Sequence, residues 1–137
     1  MTSTVLYEGD LRTVCTHLHS NSAIETDAPV DNYGKGERFS PTDLTATSLG
    51  TCMVTVMAIK ANTMGIDLKG IKTDVEKIMK QDPRRIGGIN ITFSIPDSLS
   101  ELDEKSKSIL MHTAVTCPVQ HSLHPDIDVN LNWGSWE

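Results

Sequence analysis

The sequence predicts an α+β fold, two main helices packed on antiparallel sheet in the order βββ-α-ββ-α-β. Three features point there. Short β-branched stretches separated by turn dipeptides fill the first 27 residues; an uncharged run from Leu44 to Ile59 follows; an alternating pair of stretches, an amphipathic segment and a last alternating stretch complete the chain. Strands and helices do not alternate one for one, so nothing suggests a doubly wound sheet. At 137 residues a single domain, 1–137, is expected.

Thr4–Glu8, Arg12–His19 and Ser22–Asp27 read as strands divided by Gly9-Asp10 and Ser20-Asn21, giving an N-terminal meander. Ala28–Phe39 carries Pro29, Asp31-Asn32, Gly34 and Gly36 and reads as a loop. A helix then starts at Pro41: Ser40 suits the N-cap, Pro suits the first helical position, and Asp43 completes a Ser-x-x-Asp variant of the capping box. Gly65 ends it. Leu49, Cys52, Met53, Val54, Val56, Met57 and Ala58 leave this helix no polar face, which predicts a central helix buried all round. The uncharged run is shorter than a bilayer span and holds five Thr or Ser, so no membrane association is expected. A chain of this size has too little surface to cover such a helix on every side. A second copy, in a homodimer, is expected to complete the burial.

Beyond Gly65, Ile71–Lys80 and the alternating Ile89, Ile91, Phe93 and Ile95 form a hairpin around Gln81-Asp82-Pro83, with Arg84 and Arg85 exposed in its loop. Ser100 and Asp103 repeat the capping signature, and Leu102, Ile109, Leu110, Thr113, Ala114 and Cys117 line one face of a second helix. Pro118 breaks that helix at Cys117. A short helical turn through Leu123 would follow, and its free amides would favour a thiolate. Ile127, Val129, Leu131 and Trp133 alternate with Asp128, Asn130 and Asn132 in a final strand.

Composition excludes some partners. The net charge is -6 and no basic run exceeds Arg84-Arg85, so nucleic acid is not expected. No charged-then-apolar start resembles a signal peptide, and three unevenly spaced cysteines make no disulfide scaffold; a cytoplasmic, reduced protein is expected. Cys15, His17 and His19 alternate along one strand, a spacing by which neighbouring pairs can ligate zinc. The three span about 13 Å and specify no fourth ligand, so ordinary polar residues on a solvated face is the competing reading, and neither metal nor cofactor is expected. Cys117 with His121 would suit acyl transfer only beside an oxyanion motif, which is missing.

Cys52 in the apolar middle of the first helix and Cys117 at the end of the second helix's apolar face would both point into the core. Each reads equally as a small buried hydrophobe. The run Phe39-Ser40-Pro41-Thr42-Asp43-Leu44 through Ala46, Ser48-Leu49-Gly50-Thr51-Cys52, then Cys117-Pro118-Val119 with Leu123, resembles the OsmC/Ohr family of osmotically induced and organic hydroperoxide resistance proteins. Tyr7-Glu8-Gly9-Asp10 resembles its opening, so the likeness covers nearly the whole chain.

The resemblance implies an intertwined homodimer and a cysteine peroxidase for small organic hydroperoxides. Cys52 would be the peroxidatic thiolate, Cys117 would resolve its sulfenic acid as a disulfide, and an external dithiol, a lipoyl group in the Ohr branch, would reduce that bond. An arginine held by a carboxylate would support the thiolate, which burial otherwise disfavours. Arg12, near the start of the second strand, is the preferred candidate and Arg38 its competitor. Family peroxidases carry Glu directly after the helix-start proline, where this chain has Thr42; the acid would then be Asp43, one position later. Nine residues separate Asp43 from Cys52, about 13 Å of helical rise and half a turn of offset. One straight helix cannot bring them together, so Asp43 would act across a dimer interface or serve simply as a cap. The alternative function is a noncatalytic OsmC-like dimer binding an apolar ligand, with Met53, Met57 and Met64 as its lining.

Overall fold

The computed structural model describes all residues, Met1–Glu137, as two compact units, Met1–Thr45 and Ala46–Glu137. The first is an antiparallel meander of β1 (Ser3–Gly9), β2 (Arg12–His17) and β3 (Ala23–Asp27). Asp10 and Leu11, both at positive φ, make the two-residue turn that pairs Gly9 with Arg12. β2 stops at His17 because the chain already turns there: His17 accepts from the Asn21 amide at 2.8 Å and donates to Ser22 O at 2.8 Å. His19 therefore lies in the turn and not, as expected, on the strand beside Cys15 and His17. The buried residues of this unit are Thr26, Asp27 and Ser40, all polar, whereas Val5, Tyr7 and Ile24 stay exposed. The register Val5–Cys15–Ile24 puts Val5 and Ile24 on one face of a sheet with no apolar core of its own.

Helix α1 (Pro41–Thr63) starts at the expected cap, with the Ser40 amide donating to Asp43 Oδ2 at 2.9 Å and the Asp43 amide to Ser40 Oγ at 3.1 Å. It closes with Gly65 at φ +69° and the Ile66 amide on Ala61 O at 3.0 Å. Its length and apolarity would suffice for a membrane span. Ala46, Leu49, Gly50, Met53, Met57 and Ala61 are buried, one stripe at helical spacing. Thr51, Thr55 and Ile59 are exposed, the face that a single chain was expected to leave uncovered. The second unit has a single sheet and so covers a single face of the helix.

That sheet has the order β4–β5–β6, from β4 (Lys72–Lys80), β5 (Arg85–Ser94) and β6 (Asp128–Asn132). β5 begins earlier than its alternation suggested, so Arg85 is a strand residue opposite Lys80 and pairs with Asp126 at 3.4 Å instead of lying loose in the loop. β6 runs parallel to β5, which makes the sheet mixed and not purely antiparallel. The cause is the connection. The helices between β5 and β6 carry the chain back to the end where β5 began, so β6 must set out in the same direction. The segment is three pieces, α2 (Asp97–Ser100), α3 (Glu104–Ala114) and α4 (Pro118–Ser122). Asp103 caps α3 by accepting from the Ser106 amide at 2.9 Å.

The core joins Leu49, Met53 and Met57 of α1 to Ile89, Ile91 and Phe93 of β5 and to Leu110, Ala114 and Cys117, all at most 1% exposed. Gly50 permits close approach of α1 to β4, since a Cβ there would meet Val75 Cγ2 at 2.9 Å and Thr73 Cγ2 at 3.3 Å. Phe93 stacks on Trp133 with ring centroids 4.3 Å apart. Gly134, at φ +61°, then turns the chain against β5, where a Cβ would lie 2.6 Å from Phe93 O.

Gly134→Ala meets rigid backbone as well as a left-handed φ, whereas Gly65→Ala meets only the φ because nothing lies within 4 Å. Chemical denaturation should show a loss of about 1 kcal/mol for Gly65→Ala and a clearly larger one, roughly 2–4 kcal/mol, for Gly134→Ala. Equal losses would show that the Trp133–Trp136 turn yields freely.

Candidate functional site

Two groups of side chains carry reactive chemistry, one in each unit. In the second unit Cys52 projects from α1 one position before the buried Met53, which leaves it half-buried at the edge of the core stripe. Cys117 is the last of the three residues between α3 and α4. Pro118 has no amide to continue α3 and instead opens α4 at its first position, so Cys117 becomes the N-cap. Its Sγ accepts from the Gln120 amide at 3.3 Å, and the side chain is fully buried. The structure brings the two thiols chosen from the sequence close enough for one to perturb the other, both as free cysteines. Burial pushes the Cys117 thiol above the ordinary cysteine range; the Gln120 amide opposes this, and the adjacent Cys52, by hydrogen bond and by charge, adds to it. Cys117 is thus held protonated, a thiol that can donate toward its neighbour. Cys15 stands apart from this pair on β2, with Thr13 Oγ1 3.8 Å from its sulfur.

In the first unit the β2–β3 register sets Arg12 directly opposite Asp27. The guanidinium meets the carboxylate fork to fork, Nε to Oδ1 at 2.7 Å and Nη2 to Oδ2 at 2.8 Å. Asp27 is 1% exposed and also accepts the Glu37 amide at 3.2 Å. Glu37 returns to the same guanidinium through Oε2, 3.1 Å from Nη2. Arg12 holds the Asp27 carboxyl below the usual carboxylate range, and both acids raise the arginine further above its own. Arg38, the competing cation, lies on the surface and pairs with Glu25 at 2.6 Å. Asp43 closes the capping box with Ser40.

Asp27 and Glu37 were not singled out from the sequence. Asp27 was within reach: a β2–β3 hairpin with its turn at Ser20-Asn21 folds the end of β3 onto the start of β2, which is where Arg12 lies. Glu37 comes from an irregular loop and carries no such signal.

A groove of about 340 Å³ runs between α1 and the second sheet, lined by Thr47, Gly50, Thr51, Val54, Ile71 and Val75 among others. Met53 and Met57 do not line it, because both are fully enclosed in the core. That corrects the lining expected for an apolar ligand. No group of three or more His, Cys, Asp or Glu side chains is placed to hold a metal ion.

A family model for OsmC-like protein matches residues 34–132. Among solved structures, a Psychrobacter arcticus protein assigned to the osmotic stress induced and detoxification response is 52% identical, with a TM-score of 0.91 over 96% of this chain and 94% of that one. An organic hydroperoxide resistance protein from Legionella pneumophila shares the fold at 18% identity, TM-score 0.73, over 96% of each chain. One from Elizabethkingia anophelis does so at 14% identity, TM-score 0.72, over 96% of this chain and 94% of that one. No curated protein matches.

Alkylation of the folded protein by iodoacetamide at pH 8, read by peptide mass mapping, should modify Cys52 and spare Cys117. Labelling of Cys117 should appear only on unfolding or well above the ordinary thiol range, since its pKa is raised. Equal labelling of both would contradict the burial and the shift. For Asp27 the sign is opposite: a depressed pKa means that its contribution to stability is present above the unfolded carboxylate value of 3.8 and is lost as pH falls through the lower folded value. Denaturation of the wild type and Asp27→Asn should therefore give a stability gap that is constant from about pH 5 to 8 and closes only in strong acid.

Proposed function

This chain belongs to the OsmC-like protein family, and from that premise we propose that it is a thiol-dependent peroxidase for organic hydroperoxides. Membership supports a role in hydroperoxide and stress defence at the level of the family. The observation that carries the finer reading is the neighbouring thiol pair, one half-buried and one fully buried.

The Cys52 thiolate attacks the distal peroxide oxygen and the O–O bond breaks. The sulfur is oxidised to a sulfenic acid, and the alkoxide leaves as alcohol after taking a proton. The Cys117 sulfur then attacks Cys52; its proton and the departing hydroxide leave as water, and a disulfide remains. An external dithiol, of which a lipoyl group is one chemical type, returns both thiols by exchange. A partly buried thiolate requires a positive charge, and the family resemblance makes Arg12 the candidate for it. A reducing, cytoplasmic compartment suits this cycle.

We also propose that the chain works as a homodimer. The first unit leaves Val5, Tyr7 and Ile24 exposed over polar buried residues, and α1 leaves Ile59 62% exposed. A second copy would give these surfaces the cover that one chain does not. The groove along α1 supports a second reading, a noncatalytic dimer that holds an apolar ligand.

Stopped-flow mixing of reduced protein with cumene hydroperoxide and, separately, hydrogen peroxide separates the two readings. The peroxidase reading expects rapid oxidation, faster with the organic peroxide, a Cys52–Cys117 disulfide in mass maps, and loss of the reaction in Cys52→Ser. Cys117→Ser should stop at the sulfenic acid, trapped by dimedone. Oxidation no faster than that of free cysteine, with no such disulfide, would overturn it in favour of the ligand-binding dimer.

A further inference from the structure

The turn that ends β2 rearranges the two histidines whose spacing had suggested a strand. On a continuous strand their rings would stand side by side off one face. Here the chain reverses after His17, and the imidazoles of His17 and His19 meet edge to face, with ring centroids 6.4 Å apart and planes at 70°. Two imidazoles on one ion, each at the usual metal–nitrogen distance of about 2.1 Å, have centroids roughly 5–6.5 Å apart. The pair already has the spacing of a two-histidine ligand set.

Hydrogen bonds of the turn hold it there. The His17 amide donates to Ser22 O at 2.8 Å, the Asn21 amide to His17 O at 2.8 Å and the Leu18 amide to Thr2 O at 3.1 Å, with Asn21 at φ +58°. Ser20 Oγ lies 2.7 Å from His17 Nδ1 and accepts from the Ser22 amide at 3.2 Å. A hydroxyl oxygen has two lone pairs, so one remains to accept a proton donated by Nδ1, and that hydrogen bond selects the tautomer whose Nε2 can ligate. Both histidines are exposed, so an ion can reach them from solvent. Arg12 is the only Lys or Arg in residues 1–27, and it stands at the other end of β2 in its fork with Asp27. No cation of the meander therefore opposes a dication at the turn.

We propose that His17 and His19 form a surface site for a divalent transition ion of the class that imidazole prefers, copper(II) ahead of nickel(II) and zinc(II). Ser20 holds His17 in the ligating tautomer, and water completes the coordination. No third His, Cys, Asp or Glu is placed to share the ion, so the site is open and its ion exchangeable. It belongs to the first unit and stands independently of the thiol chemistry in the second.

Isothermal titration with nickel(II) chloride tests the site on the full chain, with accessible thiols first capped by iodoacetamide so that sulfur does not compete. One ion per chain is expected. His17→Gln and His19→Gln should each weaken binding about a hundredfold, because a single imidazole no longer chelates, and Ser20→Ala about tenfold, the low end for an outer-shell partner. The double variant His121→Gln/His124→Gln should bind as the wild type does. Nickel(II) is paramagnetic in an open site of this kind, which gives a readout that partial unfolding does not imitate: in a proton–nitrogen correlation spectrum, the amide signals of residues 17–22 should broaden first. Absence of binding, wild-type affinity in either single histidine variant, an equal loss in the His121/His124 variant, or broadening that starts outside residues 17–22 would each overturn the proposal.

Discussion

The packing of α1 on the second sheet is the constraint from which the thiol geometry follows. Leu49, Met53 and Met57 fill the space over Ile89, Ile91 and Phe93, and Gly50 lets the helix come close to Val75 and Thr73. With that stripe turned inward, Cys52 has no freedom of direction. It lies next to Met53 in sequence, about 100° round the helix, and so falls at the edge of the core stripe, on the flank away from the groove-lining Val54 and Thr47. Cys117 reaches the same place from the other side because α3 ends at Ala114, itself a core residue, and Pro118 forces a fresh helix start. A larger residue at position 50 would lift the helix and move the thiol with it.

Local rules were legible wherever a single element decides the outcome. The Ser40–Asp43 box, the Ile89–Ile91–Phe93 alternation and the fresh helix start at Pro118 each depend on residues within one turn or strand, whereas α3 is capped by Asp103 and not, as its repeat of the Ser40–Asp43 signature suggested, by Ser100, which ends α2. What needed a second element was not. The direction of β6 depends on where the preceding helices deliver the chain. His19 was assigned to a strand because its spacing continues that of Cys15 and His17, but the reversal at Leu18–Asn21 is set by hydrogen bonds from His17 to Asn21 and Ser22. In the same way Asp43 stood out through its place in a motif, whereas Asp27 stands out only once β2 and β3 are laid side by side.

The two charge environments have opposite logic. Around Cys117 burial outweighs the polar compensation from the Gln120 and Val119 amides, so the neutral thiol wins. Around Arg12 two carboxylates surround a cation that never loses its proton, so the charged forms win and the pair holds through mild acid. A buried, charged Asp27 would be costly without Arg12, and the fork between them satisfies both at once. This also explains why a sheet with no apolar core still has a buried centre. The ion pair and the Glu37 amide join the start of β2, the end of β3 and the loop that follows.

A raised thiol pKa at Cys117 would be a defect in a nucleophile that acts alone, but in the proposed cycle it has a use. The first step requires charge on Cys52, and a neighbour that stays protonated both avoids a second negative charge and can donate a hydrogen bond to the first. The second step reverses the demand, since Cys117 must now give up its proton to attack the sulfenic acid. No outside base is needed for that. Hydroxide is the group displaced from the Cys52 sulfur, and it leaves as water by taking the proton that Cys117 releases. Apolar surroundings, which keep a thiol neutral, also favour a step in which two neutral groups give a neutral disulfide and water without creating charge in the core. Burial of Cys117 and its function as the second thiol are thus compatible, whereas the same burial at Cys52 would suppress the attack. The half-buried position of Cys52 at the edge of the stripe is the arrangement that this chemistry needs.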